Sequence, residues 1–377
     1  MHVGYSPEQE KLRASLRDYF AALMTPALRA GLDDGDGEYG DGAAYRQVVR
    51  QLGRDGWLTV GGRSRLDQLI FADEAALAGV PVPFLTLYTV GPTIARHGTP
   101  AQKEALLPRI AAGEAHFSIG YSEASAGTDL AALRTRAVRD GDSYVINGQK
   151  MWTSLIQYAD YVWLACRTDP DAPRHQGLSI LIVPTGAPGF SWTPVRTVAG
   201  PSTSATYYDD VRVPASALVG EENQGWRLIT DQLNHERVAL TSAAPLQRAL
   251  REVRAWAAGT GRIEREWVRL HLARVHAKTE ALKLFNWRAC VSDGSPAATR
   301  ASAGKVYGTE LAIEAYRLLM EVIGPAATVR AGSPGAVLAG RIERMYRASL
   351  ILTFGGGTNE VQRDIIAAGA LGLPVRR

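Results

Sequence analysis

The sequence has little cysteine, little net charge and no long apolar run. Its 377 residues include only Cys166 and Cys290, too few for a disulfide framework, so we expect a cytoplasmic protein. The 42 Lys and Arg residues nearly balance the 38 Asp and Glu residues, and the net charge of +4 indicates no nucleic-acid partner. The N-terminal residues lack the apolar stretch of a signal peptide, and no run of about 18 apolar residues predicts a membrane span. These absences leave a globular protein of two or three domains.

The motifs of metal and nucleophile enzymes are incomplete in this chain. His235-Glu236 begins like the helix of a zinc protease, but the second histidine of that motif is missing. Gly304-Lys305 lacks both the Ser or Thr that follows in a phosphate-binding P-loop and the loop that precedes it. We therefore expect neither a metal site nor a covalent nucleophile.

Hydrophobic patterning divides the chain into three domains. Residues 1–115 and 225–377 have the spacing of helices, whereas residues 116–224 contain short strand-like runs separated by turns rich in Pro and Gly. Strands without long intervening helices predict a small antiparallel β-domain or barrel. The sequence thus predicts an α+β protein in which a β-domain lies between two helical domains.

Local signals predict the limits of several elements. Ser6 and Thr99 each precede a Pro and lie three residues before a Gln, the pattern of a capping box that begins a helix. Asn147-Gly148 between two strand-like runs predicts a β-hairpin turn. In the C-terminal domain we predict one helix over 225–257, kinked at Pro245.

Three glycine- or hydroxyl-rich segments are candidate ligand sites. The loop 120–129 offers hydroxyls and glycines to a phosphate or a heterocycle, and a structural turn is the alternative. In segment 150–154 a Trp with adjacent hydroxyls could flank a planar cofactor, and a core Trp is the alternative. The glycine triplet 355–357 precedes a predicted helix and allows a ligand to approach closely, with a flexible interhelical loop as the alternative.

Glu236 is a further candidate because it lies on the apolar face of its predicted helix. Ile229, Leu233 and Leu240 lie seven before, three before and four after it, on one helical face. A buried carboxylate is costly unless it is paired or functional, and burial raises its pKa toward the range of a general base. An internal ion pair with an Arg is the alternative interpretation.

Four ordered motifs resemble the acyl-CoA dehydrogenase family over essentially the whole chain. They are SEASAGTD at 122–129, NGQKMW at 147–152, DVRVP at 210–214 with GEE at 220–222, and GT at 357–358 with QR at 362–363. The resemblance implies an N-terminal helical domain, a middle β-barrel-like domain and a C-terminal four-helix bundle. It also implies α,β-dehydrogenation of an acyl-CoA thioester with FAD as cofactor. In that reaction a carboxylate removes the α-proton while the β-hydride leaves for the flavin.

The resemblance also implies which residue is the catalytic base, because this chain departs from the family at the usual position of that base. The family's base usually directly precedes the C-terminal Gly-Thr pair, but Gly356 occupies that position here. A subset of the family carries the base on a helix just before an Arg, which implies Glu236 as the base and a positioning role for Arg237. The backbone N–H of Gly356 can still polarise the thioester carbonyl, because that donor needs no side chain.

The remaining expected contacts also come from the resemblance. Those with FAD are Tyr121, Ser122, Gly127, Thr128, Trp152, Thr153, Ser154, Gly357, Thr358 and Glu360. Those with the acyl-CoA substrate are Thr128, Asn234, Arg237 and Gly356.

Two departures from the family predict a heteromer. Residues 262–272 lack R-x-x-F-G and residues 321–327 lack Q-x-x-G-G-x-G, with which a neighbouring copy contacts FAD in the family's homotetramers. We therefore expect a related acyl-CoA dehydrogenase-like β-subunit to supply these groups in an α2β2 complex. The chain most resembles the α-subunits of actinobacterial α2β2 enzymes that desaturate steroid (cholesterol) side-chain CoA thioesters. The expected electron acceptor is an electron-transfer flavoprotein or a similar protein.

Three alternatives stay open at this point. A homotetrameric dehydrogenase for branched or aromatic acyl-CoAs would load its flavin without a second chain. An acyl-CoA oxidase would consume oxygen directly. A non-catalytic structural subunit would explain the missing FAD contacts, but the carboxylate retained at Glu236 argues against it.

Overall fold

The computed structural model describes residues 4–33, 39, 41–60, 63–198, 203–239, 242–291 and 297–374. Within these ranges, the side chains of residues 33, 233–239, 291 and 297 are outside the description. Helical N-terminal and C-terminal regions flank a central sheet, so the predicted α+β class is confirmed. Among the described helices, none is long and apolar enough to cross a bilayer.

The N-terminal region is helical and begins where its caps predict. Ser6 and Thr99 both accept a hydrogen bond from the N–H of the Gln three residues on, and both capping boxes are complete. The helices are α1 (Pro7–Leu23), α2 (Pro26–Asp33), α3 (Ala43–Arg54), α4 (Arg65–Ala78), α5 (Gly91–His97) and α6 (Pro100–Ala111). A π-helical turn, Leu85–Val90, precedes α5, and such turns often occur near functional sites.

The described part of the middle region has eight strands in one folded sheet. They are β1 (Phe117–Gly120), β2 (Arg136–Asp140), β3 (Ser143–Lys150), β4 (Tyr161–Arg167), β5 (Leu178–Pro184), β6 (Phe190–Val195), β7 (Thr203–Pro214) and β8 (Leu218–Val219). The order is β6-β7-β3-β2-β4-β5-β8, and β1 pairs with β4 in parallel. Tyr144 and Val211 from one half of the sheet share a buried cluster with Leu164 and Val183 from the other, which makes the domain barrel-like.

The hairpin predicted at Asn147-Gly148 is wrong, because β3 runs straight through both residues. The strand carries a bulge there against β7, and the hairpin instead joins β2 to β3 before Ser143. Asn147 Nδ2 donates to Asp210 Oδ1 at 2.9 Å, and Asn147 Oδ1 accepts from the Asp210 backbone N–H at 3.1 Å. A Cβ at Gly148 would lie 2.6 Å from Oγ1 of Thr135, so glycine serves close packing here and not a turn.

The C-terminal region is a helical bundle around one long helix. Its helices are α7 (Gly225–Ala239), α8 (Ala244–Gly259), α9 (Glu266–Val291), α10 (Ala297–Ile323), α11 (Arg341–Ser349) and α12 (Asn359–Leu371). Buried side chains of α8, α9 and α10 form its main apolar cluster. The single kinked helix predicted over 225–257 is wrong. Pro245 lies in the first turn of α8, where a missing N–H costs nothing, and so it begins a second helix.

Candidate functional site

Hydrogen bonds join the loop after β1 to the end of β3. The Met151 N–H donates to the Ser122 carbonyl at 2.8 Å, and the Lys150 ammonium donates to the Tyr121 carbonyl at 3.0 Å. The two segments predicted as separate candidate ligand sites, 120–129 and 150–154, therefore lie side by side. Ser122 and Trp152 are brought into one region of the middle domain.

A buried ion pair between Lys150 and Glu123 stabilises this junction. Lys150 Nζ lies 2.9 Å from Glu123 Oε1, and both side chains are buried. The Glu123 carboxylate also accepts from the backbone N–H groups of Arg134 and Thr135, each at 2.8 Å. Burial acts to raise the pKa of Glu123, but Lys150 and these N–H groups outweigh it and hold the pKa below its usual range. These three donors on one carboxylate keep the loop rigid.

The backbone conformation of Trp152 directs its side chain toward solvent. Its φ is +65°, which a non-glycine residue adopts at a cost of about 1 kcal/mol or more, and its side chain is 54% exposed. The neighbouring Thr153 is buried, and its N–H donates to the Ser204 carbonyl at 2.9 Å. The chain thus fixes one side chain inside and turns the adjacent indole outward, a strained arrangement that points to a ligand.

The other predicted contacts in this domain differ in exposure. Gly127, Thr128 and Ser154 are exposed, and a Cβ at Gly127 would meet open space. The Ser154 hydroxyl lies 3.5 Å from that of Thr203. The Thr153 hydroxyl, in contrast, is buried and lies 3.4 Å from that of Thr206.

Tyr121 has a different setting, because its side chain belongs to a buried network. Its hydroxyl donates to Oε1 of Gln232 on α7, and the Trp163 indole N–H lies 3.2 Å from the same hydroxyl. The Gln232 amide donates in turn to Oγ1 of Thr93 on α5 at 3.0 Å. This network connects all three domains one helical turn before Glu236. Sequence reasoning missed Gln232, although a polar residue four positions before Glu236 was a signal for it.

Helix α7 presents one buried stripe in its described half. Leu228, Ile229 and Gln232 are buried, and their spacing places them on one face of the helix. The side chains of Asn234, Glu236 and Arg237 are outside the description.

The loop before α12 is built on glycines in left-handed conformations. Gly356 has φ +67° and Gly357 has φ +90°. Thr358 caps α12 by accepting from the Val361 N–H at 3.3 Å. Hydrogen bonds from its own backbone N–H and from Thr358 hold the pKa of Glu360 below its usual range. The loop therefore offers backbone donors and one ionised carboxylate at a helix N-terminus.

No group of three or more His, Cys, Asp or Glu residues in the described part of the chain could hold a metal ion. The groups that these segments expose are instead an indole, hydroxyls and backbone N–H groups. Such a set suits a planar organic ligand with phosphate or amide groups.

Family models of acyl-CoA dehydrogenases match almost the whole chain. The model of the N-terminal domain matches residues 6–114, that of the middle domain 118–211 and that of the C-terminal domain 223–371. The chain belongs to the acyl-CoA dehydrogenase family, whose members are flavoprotein oxidoreductases that act on the CH–CH bond of acyl-CoA thioesters.

Individual relatives match over their full lengths. The chain is 65% identical to acyl-CoA dehydrogenase FadE26 of Mycobacterium tuberculosis and 46% identical to FadE29 of the same organism, each over 99% of both chains. Its fold matches a chain of the ChsE4-ChsE5 complex from Mycobacterium tuberculosis with a TM-score of 0.93 and 64% identity, over 100% of both chains. It also matches a chain of the Tcur3481-Tcur3483 steroid ACAD with a TM-score of 0.93 and 49% identity, over 100% of both chains.

Proposed function

We propose that this protein is the catalytic subunit of a heterotetramer that performs FAD-dependent α,β-dehydrogenation of a steroid side-chain acyl-CoA. The observation that carries the proposal is the full-length likeness to chains of two complexes of unlike subunits, one of them called a steroid ACAD. The roles of individual residues rest on the geometry of the loop before α12 and on the register of α7.

Glu236 is the base in this proposal. The position that commonly holds the family's base is Gly356, whose φ of +67° disfavours any L side chain. Position 236 lies on α7 four residues after the buried Gln232, so helical spacing places both on one face of the helix, and we propose that Glu236 acts there as the general base. Arg237, the next residue, is proposed to orient Glu236 or the acyl group, and Asn234 to contact the pantetheine arm.

The substrate is activated for proton loss by the loop before α12. The Gly356 N–H donates to the thioester carbonyl, which stabilises the negative charge that develops when Glu236 takes the α-proton. FAD, when bound, accepts the hydride from the β-carbon. The product is an α,β-unsaturated thioester, and the electrons pass to an electron-transfer flavoprotein or similar acceptor.

The residues present fit FAD. The exposed indole of Trp152 offers a flat surface for a ring system, with the hydroxyls of Thr128 and Ser154 on the same domain. We propose that Ser122, Gly127 and the backbone of Tyr121 and Thr153 complete this side. Gly357, Thr358 and Glu360 approach the cofactor from the N-terminus of α12.

A second chain is proposed because this chain lacks part of an FAD site. In the region without R-x-x-F-G, the guanidinium of Arg262 donates to the Val322 carbonyl at 3.1 Å. Arg262 also lies against Gly324, in the segment that lacks the glycine-rich motif. This arginine stabilises the end of its own α10, which supports a partner subunit as the source of the missing contacts.

The experiment compares the chain expressed alone with the chain co-expressed with a related dehydrogenase that carries R-x-x-F-G. Flavin absorbance per chain and complex mass are measured first. The complex is then assayed with steroid side-chain and straight-chain fatty acyl-CoAs, with an artificial electron acceptor and with oxygen alone.

Little flavin in the lone chain, recovery on co-expression and a preference for the steroid thioester would support the proposal. A yellow homotetramer with full flavin loading would overturn the heteromer and favour the enzyme for branched or aromatic substrates. Turnover with oxygen alone would identify an oxidase, and a loaded complex without turnover would favour a structural subunit.

A further inference from the structure

A buried lysine lies behind the loop before α12. The Lys305 side chain on α10 is fully buried, and its ammonium donates to the Gly357 carbonyl and to Oδ1 of Asn359, each at 2.8 Å. Gly357 belongs to the loop and Asn359 is the first residue of α12. A single cation thus holds the loop to the helix that follows it.

A second buried contact fixes the same loop. The Ser302 hydroxyl, also on α10, donates to Oε1 of Gln362 at 2.8 Å, and Gln362 is fully buried. A Cβ at Gly357 would lie 2.8 Å from Nε2 of Gln362, so the amide packs directly against the loop backbone. Ser302 and Lys305 are three residues apart and therefore share one face of α10. That face forms a rigid support for a loop whose own glycines give it little stiffness.

The charge of Lys305 needs an explanation, because an apolar side chain of the same length would fill the space at lower cost. Burying an ammonium is expensive, and such groups are retained where their hydrogen bonds serve a purpose. A charge-assisted hydrogen bond is roughly twice as strong as a neutral one, so it restrains the Gly357 peptide tightly. The restrained carbonyl belongs to Gly357, the residue after Gly356, so one further peptide unit separates it from the Gly356 N–H that is the proposed donor to the thioester.

We infer that Lys305 is a positioning residue, which holds the Gly356 N–H in line with the thioester carbonyl. The inference rests on the proposed function, because it gives that N–H a substrate. Without the tether, Gly356 and Gly357 gain backbone freedom, and the donor spends less time aligned. Loss of an oxyanion donor typically costs about 100-fold to 1000-fold in kcat, so loss of its alignment should cost about 10-fold to 100-fold.

The first test is Lys305→Met in the co-purified, flavin-loaded complex. We expect kcat per flavin to fall about 10-fold to 100-fold, and KM to change less than about threefold, because the lost interaction acts in the transition state. Exchange of the α-proton of a non-oxidisable acyl-CoA analogue with solvent deuterium should slow by a similar factor. Lys278→Met is the matched control, since it removes a lysine that pairs with Glu314 on α10 away from the loop.

The second test is chemical rescue of Lys305→Ala. Propylammonium replaces the deleted atoms and their N–H donors, so it should restore part of the lost kcat. Tetramethylammonium carries the same charge without a donor and should not. If Lys305→Met does not assemble, Lys305→Gln keeps a neutral donor and should still lower kcat per flavin at least about threefold.

Several outcomes would overturn the inference. Unchanged kcat per flavin in a loaded Lys305→Met complex would do so, as would loss of flavin or thermal stability with the remaining holoenzyme fully active. Equal rescue by both cations would exclude a hydrogen-bonding role. If no acyl-CoA reduces the flavin of the wild-type complex, the proposed function itself is overturned. This outcome is distinct from a failure of the Lys305 inference, in which the wild-type complex remains active.

Discussion

At the residue scale, backbone φ angles restrict which positions of the chain can carry a catalytic carboxylate. Gly356 and Gly357 both have positive φ, and an L side chain at either position would be strained. At Gly357 a Cβ would also crowd the buried amide of Gln362. The loop is therefore suited to present backbone N–H groups, and the proton acceptor is proposed to come from α7.

The first prediction concerns Glu236→Gln. The variant should keep its flavin and its partner but lose at least about 100-fold in kcat, the lower range for removal of a general base. Stopped-flow measurement of flavin reduction by acyl-CoA provides the rate. Asp231→Asn is the control on the same helix, because Asp231 pairs with Arg96 at the surface. Near-normal reduction by Glu236→Gln would remove Glu236 from the mechanism.

At the element scale, the end of β3 depends on the Glu123–Lys150 pair. The pair lies under the junction of the loop after β1 with segment 150–154. Both side chains are buried, so neither charge is well solvated if the other is removed. We therefore expect the pair to matter more for the order of the junction than surface ion pairs do.

The second prediction follows from this burial. Lys150→Met should lower the free energy of unfolding by about 3 to 5 kcal/mol, because it leaves the Glu123 carboxylate buried without its cation. The double variant Glu123→Gln/Lys150→Met should recover part of this loss. Chemical denaturation, followed by flavin and tryptophan fluorescence, measures both.

The control for Lys150→Met is an exposed ion pair on the same sheet. Arg212 on β7 lies 2.7 Å from Asp140 on β2, and both side chains are more than half exposed. Arg212→Met should cost less than about 1 kcal/mol. Equal losses for Lys150→Met and Arg212→Met would contradict the role given to burial.

At the scale of the whole molecule, a partly buried carboxylate connects the N-terminal helices to the bundle. Asp73 on α4 accepts from the Ser242 hydroxyl at 2.6 Å, and Ser242 Oγ accepts from the Ala244 N–H at the start of α8. Burial is the main cause that raises the pKa of Asp73 to about 6, against the opposing Ser242 hydrogen bond. The unfolded value is about 3.9.

The third prediction is a pH dependence of stability. Because the folded pKa is higher than the unfolded one, folding favours the protonated form. Stability from this group is present below about pH 4 and is lost as pH rises to about 6. Asp73→Asn should therefore gain over wild type between pH 4 and 6 and keep a gain of about 1 to 2 kcal/mol above that range.

Thermal unfolding of the complex between pH 4 and 8 measures this gain. Asp18→Asn, an exposed position on α1, is the control and should show no such trend. A gain for Asp73→Asn that does not change with pH, or that shrinks as pH rises, would contradict the titration of Asp73.

Some elements of the fold follow from short stretches of sequence. Ser6 and Thr99 satisfy the first N–H groups of their own helices within three residues, so their caps are visible in the sequence. The hairpin turn predicted at Asn147-Gly148 was wrong because the structure there depends on a distant residue. Asp210, the side-chain partner of Asn147, lies 63 residues away, and only the pairing of β3 with β7 brings the two together.

By itself the sequence determined the family, the α+β class, the glycine at position 356 and the absence of two cofactor motifs. Tertiary structure alone decided that Lys305 lies behind the loop, that Gln232 connects three domains, and that Lys150 supports the turn at Trp152. The physical reason is the range of each interaction. Caps and helical faces depend on neighbours within one or two turns, whereas the partner of a buried polar group is fixed only when distant elements pack together.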